Sequence, residues 1–427
     1  MAVPTLSFNP STLVGSDAAG CTTGTARVGL PEWALLCRVG RNSRRRNATT
    51  ARSRTSEGLA VEVSFWLVDP PGVSYFSVRC PGYQKFTSSL ICVEDAFVLF
   101  SVAPWGSTQH YFVYTARGRG RGPTVTQPSL RLLPHPGPAF NGWQTIFGLL
   151  PRGGEHYVVA FVDRKVRNWT LDGDFWRFDT YVFSSETGAW RSSHASLVHL
   201  SVSDKRLCDQ HTFSKQIMVG EGSMGWVDSD HGILLLHNLF DDGCPIMDLI
   251  PLPHCASRYF FDVACYDDGL IKLVEIKHDG PGGHHLSTSG EGWRATVWNR
   301  RVSWDGWQKR CTVHVDDISV DQSYFALLPD QLRDEETQEL TLKKLIFHGP
   351  ILGVHDNDVL CMMGKVNDED DNAWAITIDM EHGMVEALAQ FPAKRNDVLR
   401  TMYCSCIFPK YLNVAQVLTE NNLPSDN

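Results

Sequence analysis

The sequence lacks most of the patterns that mark enzymes, membrane proteins and helical proteins. It contains no Gly-x-Ser-x-Gly element, no phosphate-cradling glycine loop and no dinucleotide fingerprint. No apolar run is long enough for a secretory signal or a membrane span, and apolar residues rarely recur at helical spacing. These absences favour a non-enzyme that has no cofactor, makes no membrane contact and folds as an all-β protein.

Composition and charge narrow the class of protein further. The chain has 427 residues, of which 43% are hydrophobic and 20% charged, with a mean hydropathy of −0.19. These values are ordinary for a globular protein with a large core. The formal net charge of −9 argues against binding of a polyanion by the whole molecule, although it leaves room for local basic patches.

Twelve cysteines are scattered without a repeating spacing. Several of them, such as Cys92, Cys265 and Cys361, lie inside apolar, strand-like runs, where a free cysteine packs as a small hydrophobe. The lack of a secretory signal predicts a reducing compartment, either cytoplasm or nucleus. Cys404 and Cys406 form the single close pair, and without a second pair they do not predict a zinc site.

Residues 225–253 read as a β-meander. Strands are expected at 225–228, 232–238 and 246–250, with turns between them. The run at 233–236 consists of four large apolar residues and has no polar side to offer to water. It must therefore be covered on both faces, as the inner strands of stacked sheets are.

An internal repeat distinguishes among the β folds. Residues 181–190 align with 376–385, each as an alternating strand followed by a turn closed by Gly188 or Gly383. Roughly six units of about four strands fit the chain. Radial stacking of twisted sheets buries both faces and protects the edges.

The predicted fold is thus all-β, a single six-bladed β-propeller with long loops and at most short helices. A short helix is conceivable at 330–346, within an insertion. The predicted organisation is a flexible tail at 1–31, the propeller at 32–407 and a polar tail at 408–427.

At this point the sequence also resembles a known family. The segments that carry the resemblance are NATTA (47–51), PPGVSYF (70–76), GWVD (225–228), GILL (232–235), IPLP (250–253) and WRATVW (293–298). They are similar to the plant, chiefly grass, proteins that contain the domain of unknown function 1618. The chain departs from that pattern at Cys37, where an acidic residue is common, and in the arginine-rich insertion at 38–46.

The resemblance implies a plant origin and a propeller like those attached to F-box proteins. It implies no established activity and supplies no catalytic residues.

Two basic segments are candidates for contact with a partner. One carries Arg44, Arg45 and Arg46, and the other is RGRGRG at 117–122. Each could serve as a nucleic-acid or nuclear-import patch, or simply be a solvated loop. We favour loops, because the first segment has no aromatic residues to stack bases and the second connects two strands.

Candidate metal and acid–base groups are weak. His284 and His285 are adjacent and point in opposite directions on an extended chain, and 368–371 lacks the spacing of a calcium loop. The aspartate pairs at 241–242 and 316–317 fit strand ends and turns, where Asp caps backbone amides. No catalytic, cofactor-binding or metal-binding residue is predicted.

The favoured function is a non-catalytic protein–protein interaction module, expected to be a monomer with a protein partner of unknown identity. Long loops at 302–308 and 279–292 would hold that partner, with Trp304 and Trp307 as anchors. Arg44, Arg45 and Arg46 are further candidate contacts. The alternatives are an RNA-binding propeller, which needs the arginine loops beside aromatics, and a carbohydrate-active enzyme, which needs convergent carboxylates around the axis.

Overall fold

Twenty-six strands and one α-helix form the described part of the chain. The computed structural model describes residues 30–116, 127–137, 140, 146–165, 177–197, 200–220, 222–253, 260–266, 269–279, 292–333, 340–355, 358–367, 369–392 and 402–412. Six sheets stand in a ring around a central channel. The predicted all-β, six-bladed propeller is confirmed.

Blades 2 to 4 each use four consecutive antiparallel strands, and the first strand of each lies nearest the axis. Blade 2 contains β6 (Phe86–Glu94), β7 (Phe97–Pro104), β8 (His110–Thr115) and β9 (Ser129–Leu132). Blade 3 contains β10 (Gly148–Pro151), β11 (Tyr157–Lys165), β12 (Arg177–Ser184) and β13 (Ala189–His194). Blade 4 contains β14 (Lys215–Met218), β15 (Met224–Asp228), β16 (Gly232–His237) and β17 (Ile246–Ile250).

Blades 5 and 6 repeat this plan. Blade 5 contains β18 (Phe261–Cys265), β19 (Leu270–His278), β20 (Trp293–Arg301) and β21 (Gln308–His314). Blade 6 contains β22 (Ile346–Leu352), β23 (Val359–Lys365), β24 (Asn372–Asp379) and β25 (Met384–Pro392).

Blade 1 closes the ring with strands from both ends of the described chain. It contains β1 (Ala34–Cys37), β2 (Arg41–Asn42), β3 (Ala51–Arg54), β4 (Ala60–Trp66), β5 (Val73–Arg79) and β26 (Tyr403–Cys406). The late strand β26 pairs antiparallel with the early strand β1, while β1 and β2 both run parallel to β5. The ring is therefore closed by hydrogen bonds between the two ends of the propeller.

The repeated turns have the predicted backbone conformation. Gly188 has φ +71° and Gly383 has φ +62°, and each donates its amide to the residue four positions earlier at 2.9 Å. A left-handed conformation is natural for glycine and strained for residues with a Cβ. The same glycine thus closes the outer hairpins of blades 3 and 6.

The core consists of six clusters, one at each boundary between neighbouring blades. Strand β16 shows why. Leu234 and Leu236 pack toward blade 3, whereas Ile233 and Leu235 pack toward blade 5. Alternate residues of a strand point to opposite faces, so an inner strand between two blades is apolar at every position. This confirms the expectation that the apolar run at 233–236 is covered on both faces.

Helices are confined to the connections. The helix α1 (Val202–Gln210) lies between blades 3 and 4 and starts at Ser201, whose hydroxyl accepts the amide of Asp204. The insertion between blades 5 and 6, where at most a short helix is predicted, holds short 3-10 turns in its described residues, including Asp330–Leu332 and Leu342–Lys344. No helix in the described residues is long and apolar enough to cross a membrane. The ten cysteines within those residues are free.

The sequence predicts that the propeller ends at residue 407. In the structure, the residues directly after 407 also pack against the core. A 3-10 helix at Phe408–Tyr411 follows β26, and the Phe408 side chain is fully buried. Its ring centroid lies 4.8 Å from that of Phe65 and 5.8 Å from that of Tyr114. The first turn of the presumed polar tail therefore seals the boundary between blades 1 and 2.

We predict that Phe408→Ala destabilises the protein by about 3–5 kcal/mol, because it leaves a cavity beside the rings of Phe65 and Tyr114. Chemical denaturation would measure the loss of unfolding free energy. Trp105→Ala is the control, since 67% of Trp105 is exposed, and it should change stability by less than about 0.5 kcal/mol. Equal effects of the two substitutions would contradict a sealing role for Phe408.

Candidate binding sites in the channel and on blade 1

The central channel contains a cavity of about 730 Å³. The innermost strands of blades 1, 2, 4, 5 and 6 line it. Its size lies within the range of small-molecule sites, which occupy roughly 300–1,000 Å³. Charged side chains from four blades reach this cavity, namely Arg38, Glu94, Asp95, Lys215 and Asp262.

A belt of polar contacts joins the blades around the channel. Between blades 4 and 5, the ammonium of Lys215 donates to Asp262 Oδ1 at 2.6 Å and to the carbonyl of Val263 at 2.7 Å. Between blades 5 and 6, the amide of Leu352 donates to Asp262 Oδ2 at 3.0 Å. Both oxygens of Asp262 are thus occupied within the wall.

The belt continues through blade 1. The hydroxyl of Ser405 on β26 donates to the carbonyl of Leu352 at 2.7 Å, which joins blades 6 and 1. Arg38, which follows β1, donates through Nη1 to the carbonyl of Ile91 at 2.9 Å, which joins blades 1 and 2. Four of the six blade boundaries are therefore linked by polar contacts at the axis.

Glu94 differs from the other channel acids. It is half-buried at the end of β6, and none of the described residues makes a hydrogen bond of normal geometry with its carboxyl group. The pKa of Glu94 is raised to about 8, chiefly by burial and also by the charge of Asp95, against the opposing effects of Lys215 and Gln216. Glu94 is therefore mostly protonated at neutral pH, when it can both donate and accept a hydrogen bond.

On blade 1, arginines gather around one glutamate. Arg46 makes a two-pronged contact with Glu62, with distances of 2.8 and 2.7 Å. Arg52 lies 3.2 Å and Arg79 lies 3.3 Å from the same carboxyl group. These contacts, led by the hydrogen bond from Arg46, lower the pKa of Glu62. One negative charge here faces three positive charges, so the surface keeps an excess of positive charge.

Beside this cluster, two arginines stack on a pair of aromatic rings. The Arg41 guanidinium lies 3.8 Å from the ring centroid of Tyr75, and that of Arg45 lies 5.2 Å from Trp66. The two rings stack on each other across β4 and β5, with centroids 6.1 Å apart. Arg44 is exposed and makes no ion pair with a described residue. We call Arg41, Arg44, Arg45, Trp66 and Tyr75 the blade-1 patch.

The two predicted tryptophan anchors lie in the turn between β20 and β21, as expected. Both are half-buried. The indole of Trp307 donates to the carbonyl of Pro251 at 2.7 Å and packs against the core between blades 4 and 5. Trp307 therefore has a structural contact in addition to its predicted contact with a partner, and Trp304 and Trp307 lie on blade 5, apart from the blade-1 patch.

Several other sequence candidates lie outside the described residues, namely RGRGRG at 117–122, His284, His285 and most of the loop at 279–292. The pair Asp316 and Asp317 falls in a 3-10 turn, Val315–Asp317, and Asp316 contacts Lys343 at 2.6 Å. Within the described ranges, no group of three or more His, Cys, Asp and Glu side chains could hold a metal ion.

Sequence reasoning missed the channel groups. It placed Arg38 in the arginine-rich segment, read Glu94 as part of a turn and did not single out Lys215 or Asp262. These residues come from four blades, so no local spacing connects them. Their one common feature is that each is a charged residue within or beside the first strand of a blade. This feature can be recognised only after the strands have been assigned to blades.

Two buried polar side chains, Asp228 and His211, lie close together in blade 4. Asp228 is the last residue of the GWVD segment. Asp228 is fully buried and accepts hydrogen bonds from the amides of Thr212, Asp230 and His231. Burial by itself raises the pKa of Asp228, but these contacts outweigh it and lower the pKa to about 2. His211 lies 3.9 Å from Asp228, yet burial dominates and lowers the pKa of His211 to about 4. The cluster closes a turn and does not face the channel cavity.

Comparisons with known proteins agree with the sequence resemblance. Residues 226–361 match the family described as "Protein of unknown function (DUF1618)". The resemblance is thus confirmed over the part of the chain that holds IPLP and WRATVW, while NATTA and PPGVSYF lie before the matched residues. No curated protein matches the chain in sequence.

Among solved structures, the chain is similar to a glycosyl hydrolase from Bacteroides ovatus. The two are 9% identical, with 83% of this chain and 87% of the other covered, at a TM-score of 0.24. A likeness at this level says nothing about the ligand or reaction of this chain.

His211 predicts an acid-sensitive fold. Its pKa is lowered to about 4 in the folded protein, against roughly 6.5 when unfolded. The contribution of neutral His211 to the free energy of unfolding is therefore complete above about pH 6.5. As the pH falls toward 4, roughly 3 kcal/mol of it is lost. Urea denaturation at several pH values would measure it.

His211→Gln should flatten this pH dependence, because it removes the titrating group. His194→Gln is the matched control, since 58% of the His194 side chain is exposed, and it should keep the wild-type profile. An unchanged pH profile in His211→Gln would contradict the assignment.

Proposed function

We propose that this propeller is a non-catalytic protein-interaction module that binds an acidic segment of a partner protein on the blade-1 patch. The observation that carries the proposal is the stack of Arg41 on Tyr75 and of Arg45 on Trp66. Trp, Tyr and Arg are the residue types that dominate the binding energy of protein interfaces. Here they occur together on one sheet face.

The patch is held in place before any partner arrives. The Trp66 indole donates to Ser77 Oγ at 3.0 Å, and the two rings lie within 15° of parallel. Arg46 and Glu62 fix the segment that carries Arg44 and Arg45. Because the side chains are already ordered, a partner loses less entropy on binding them.

Charge supports an acidic partner. Arg44 and Arg45 are exposed, and the nearby Glu62 already faces three other arginines. The chain as a whole is acidic, with a net charge of −9. A short carboxylate-rich segment can dock on the local positive field, whereas a long polyanion would also meet the acidic remainder.

The stacking geometry favours protein over RNA. A base binds a single-stranded nucleic-acid site by stacking on an open aromatic face. In the patch, each ring is stacked on its neighbour and covered by an arginine. A base would have to displace these contacts, while a carboxylate can bind the outer edge of the guanidinium groups.

The channel supports a non-catalytic reading. A glycoside hydrolase needs two carboxyl groups held across the substrate. Asp262 has both oxygens bound within the wall, and Asp95 accepts a hydrogen bond from Tyr411 at 3.0 Å. Glu94 alone is left without such a contact among the described channel acids.

We predict that the substitution Arg44→Glu/Arg45→Glu weakens binding of a fluorescent peptide of about ten glutamates by at least tenfold, because it reverses the charge of the patch. Fluorescence anisotropy would measure the affinity, which should also fall with added salt. Lys205→Glu/Arg206→Glu on α1 is the matched control, since it makes the same change of charge on another surface. It should bind like the wild type.

An oligouridylate of similar length distinguishes the RNA alternative. Tight binding of the oligouridylate that is lost in Arg44→Glu/Arg45→Glu, with no binding of the peptide, would overturn the proposal in favour of RNA. Equal loss of peptide binding in the α1 control would show that overall charge, and not the patch, holds the peptide.

The location of the protein is a separate prediction. We expect a fluorescent fusion of the full chain in the cytoplasm or nucleus, because the arginine-rich segment is compatible with nuclear import. A plastid or secretory location would contradict it.

A further inference from the structure

The cavity in the channel brings three hydrogen-bond donors to one place. Arg38 comes from blade 1, Glu94 from blade 2 and Lys215 from blade 4. All three influence the thiol of Cys404 on β26: burial raises the pKa of Cys404, Arg38 and Lys215 lower it, and Glu94 raises it. All three side chains line the same cavity, together with Cys404.

These groups keep donors that the wall does not use. Arg38 has five N–H donors, and one of them donates to the carbonyl of Ile91. Lys215 makes two hydrogen bonds out of three, and 32% of its side chain stays exposed. Glu94 carries a proton at neutral pH, as its pKa of about 8 indicates. The carboxyl group of Asp262 already accepts a hydrogen bond at each of its two oxygens.

The same cavity has apolar walls. Half-buried side chains from four blades provide them, namely Ile91, Met218, Ala264 and Val354. A ligand that fits must therefore offer acceptors at one end and an apolar body at the other. Small-molecule sites combine an apolar lining with a few placed polar groups in this way.

We propose that the channel binds a small organic monocarboxylate whose charged end lies among Arg38, Lys215 and Glu94 and whose apolar body lies against Ile91, Met218 and Ala264. Arg38 supplies the positive charge that attracts the carboxylate of the ligand, because Lys215 is already paired with Asp262. Glu94, in its neutral form, keeps its proton and donates an O–H hydrogen bond to the carboxylate of the ligand.

The protonation of Glu94 makes binding depend on pH. Ionised Glu94 would repel the ligand, so binding weakens as the pH rises through about 8. The groups that act on Glu94 or feel its charge are Asp95, Lys215, Gln216, Cys92, Cys404 and Cys406. Arg38 and the paired Asp262 complete the charged lining on the neighbouring strands.

Isothermal titration of the full chain with benzoate and with benzamide, its uncharged isostere, tests the proposal. We expect benzoate to bind about 30-fold more weakly at about pH 9.5 than at about pH 6.5, because the neutral fraction of Glu94 falls by that factor. Benzamide should bind more weakly than benzoate at the lower pH, and its affinity should not depend on pH.

Two variants separate the roles of the residues. Glu94→Gln keeps a neutral side chain of the same shape, so benzoate should bind it with the same affinity at both pH values. Arg38→Gln should weaken benzoate binding at least tenfold. Arg131→Gln is the matched control, because Arg131 also donates to a carbonyl across a blade boundary, that of Ser185, away from the channel.

Three results would overturn the proposal. They are no heat of binding with benzoate at concentrations of about 10 mM, equal affinity for benzamide and benzoate, and a pH dependence that persists in Glu94→Gln. The Glu94→Gln measurement still decides the question if Arg38→Gln fails to fold, because it is made on a separate variant.

Discussion

The pairing of β1 with β26 is the interaction on which the rest of the molecule depends. Each blade buries its two faces against its neighbours, so no blade is stable by itself, and an open ring would leave two sheets uncovered. Among the described residues, the hydrophobic cluster between blades 6 and 1 is the smallest of the six, with seven buried members. Closure therefore depends on the four-residue β ladder and on Phe408, which anchors the following turn across to blade 2.

Closure also creates the channel and its chemistry. The belt from Lys215 through Asp262, Leu352 and Ser405 needs blades 4, 5, 6 and 1 in contact at the axis. Charged groups that would be solvated on separate sheets are then held in a shared cavity, where burial changes their protonation. The raised pKa of Glu94 is thus a consequence of the ring, because β6 alone could not enclose that side chain.

The sequence predicted what local patterns encode. Gly188 and Gly383 fixed equivalent turns, and the apolar run at 233–236 required a blade on either side; both are confirmed. It could not predict the channel, because Arg38 and Glu94 meet Lys215 only through the closure of the ring. It also missed α1, whose apolar residues are too few to show helical periodicity, although the spacing of Ser201 and Asp204 is a capping signal.

The arginine-rich segment shows what residues close in sequence can and cannot predict. Within residues 38–46 no aromatic residue is present, and on that ground a solvated loop was favoured. The aromatic partners come from β4 and β5, and the acid that fixes Arg46 also comes from β4. In the fold, the segment lies along the exposed face of blade 1 and neutralises only part of its own charge on Glu62. A surface that is ordered, aromatic and positively charged within an acidic protein is suited to recognition, since its field attracts a partner and its side chains are already in place.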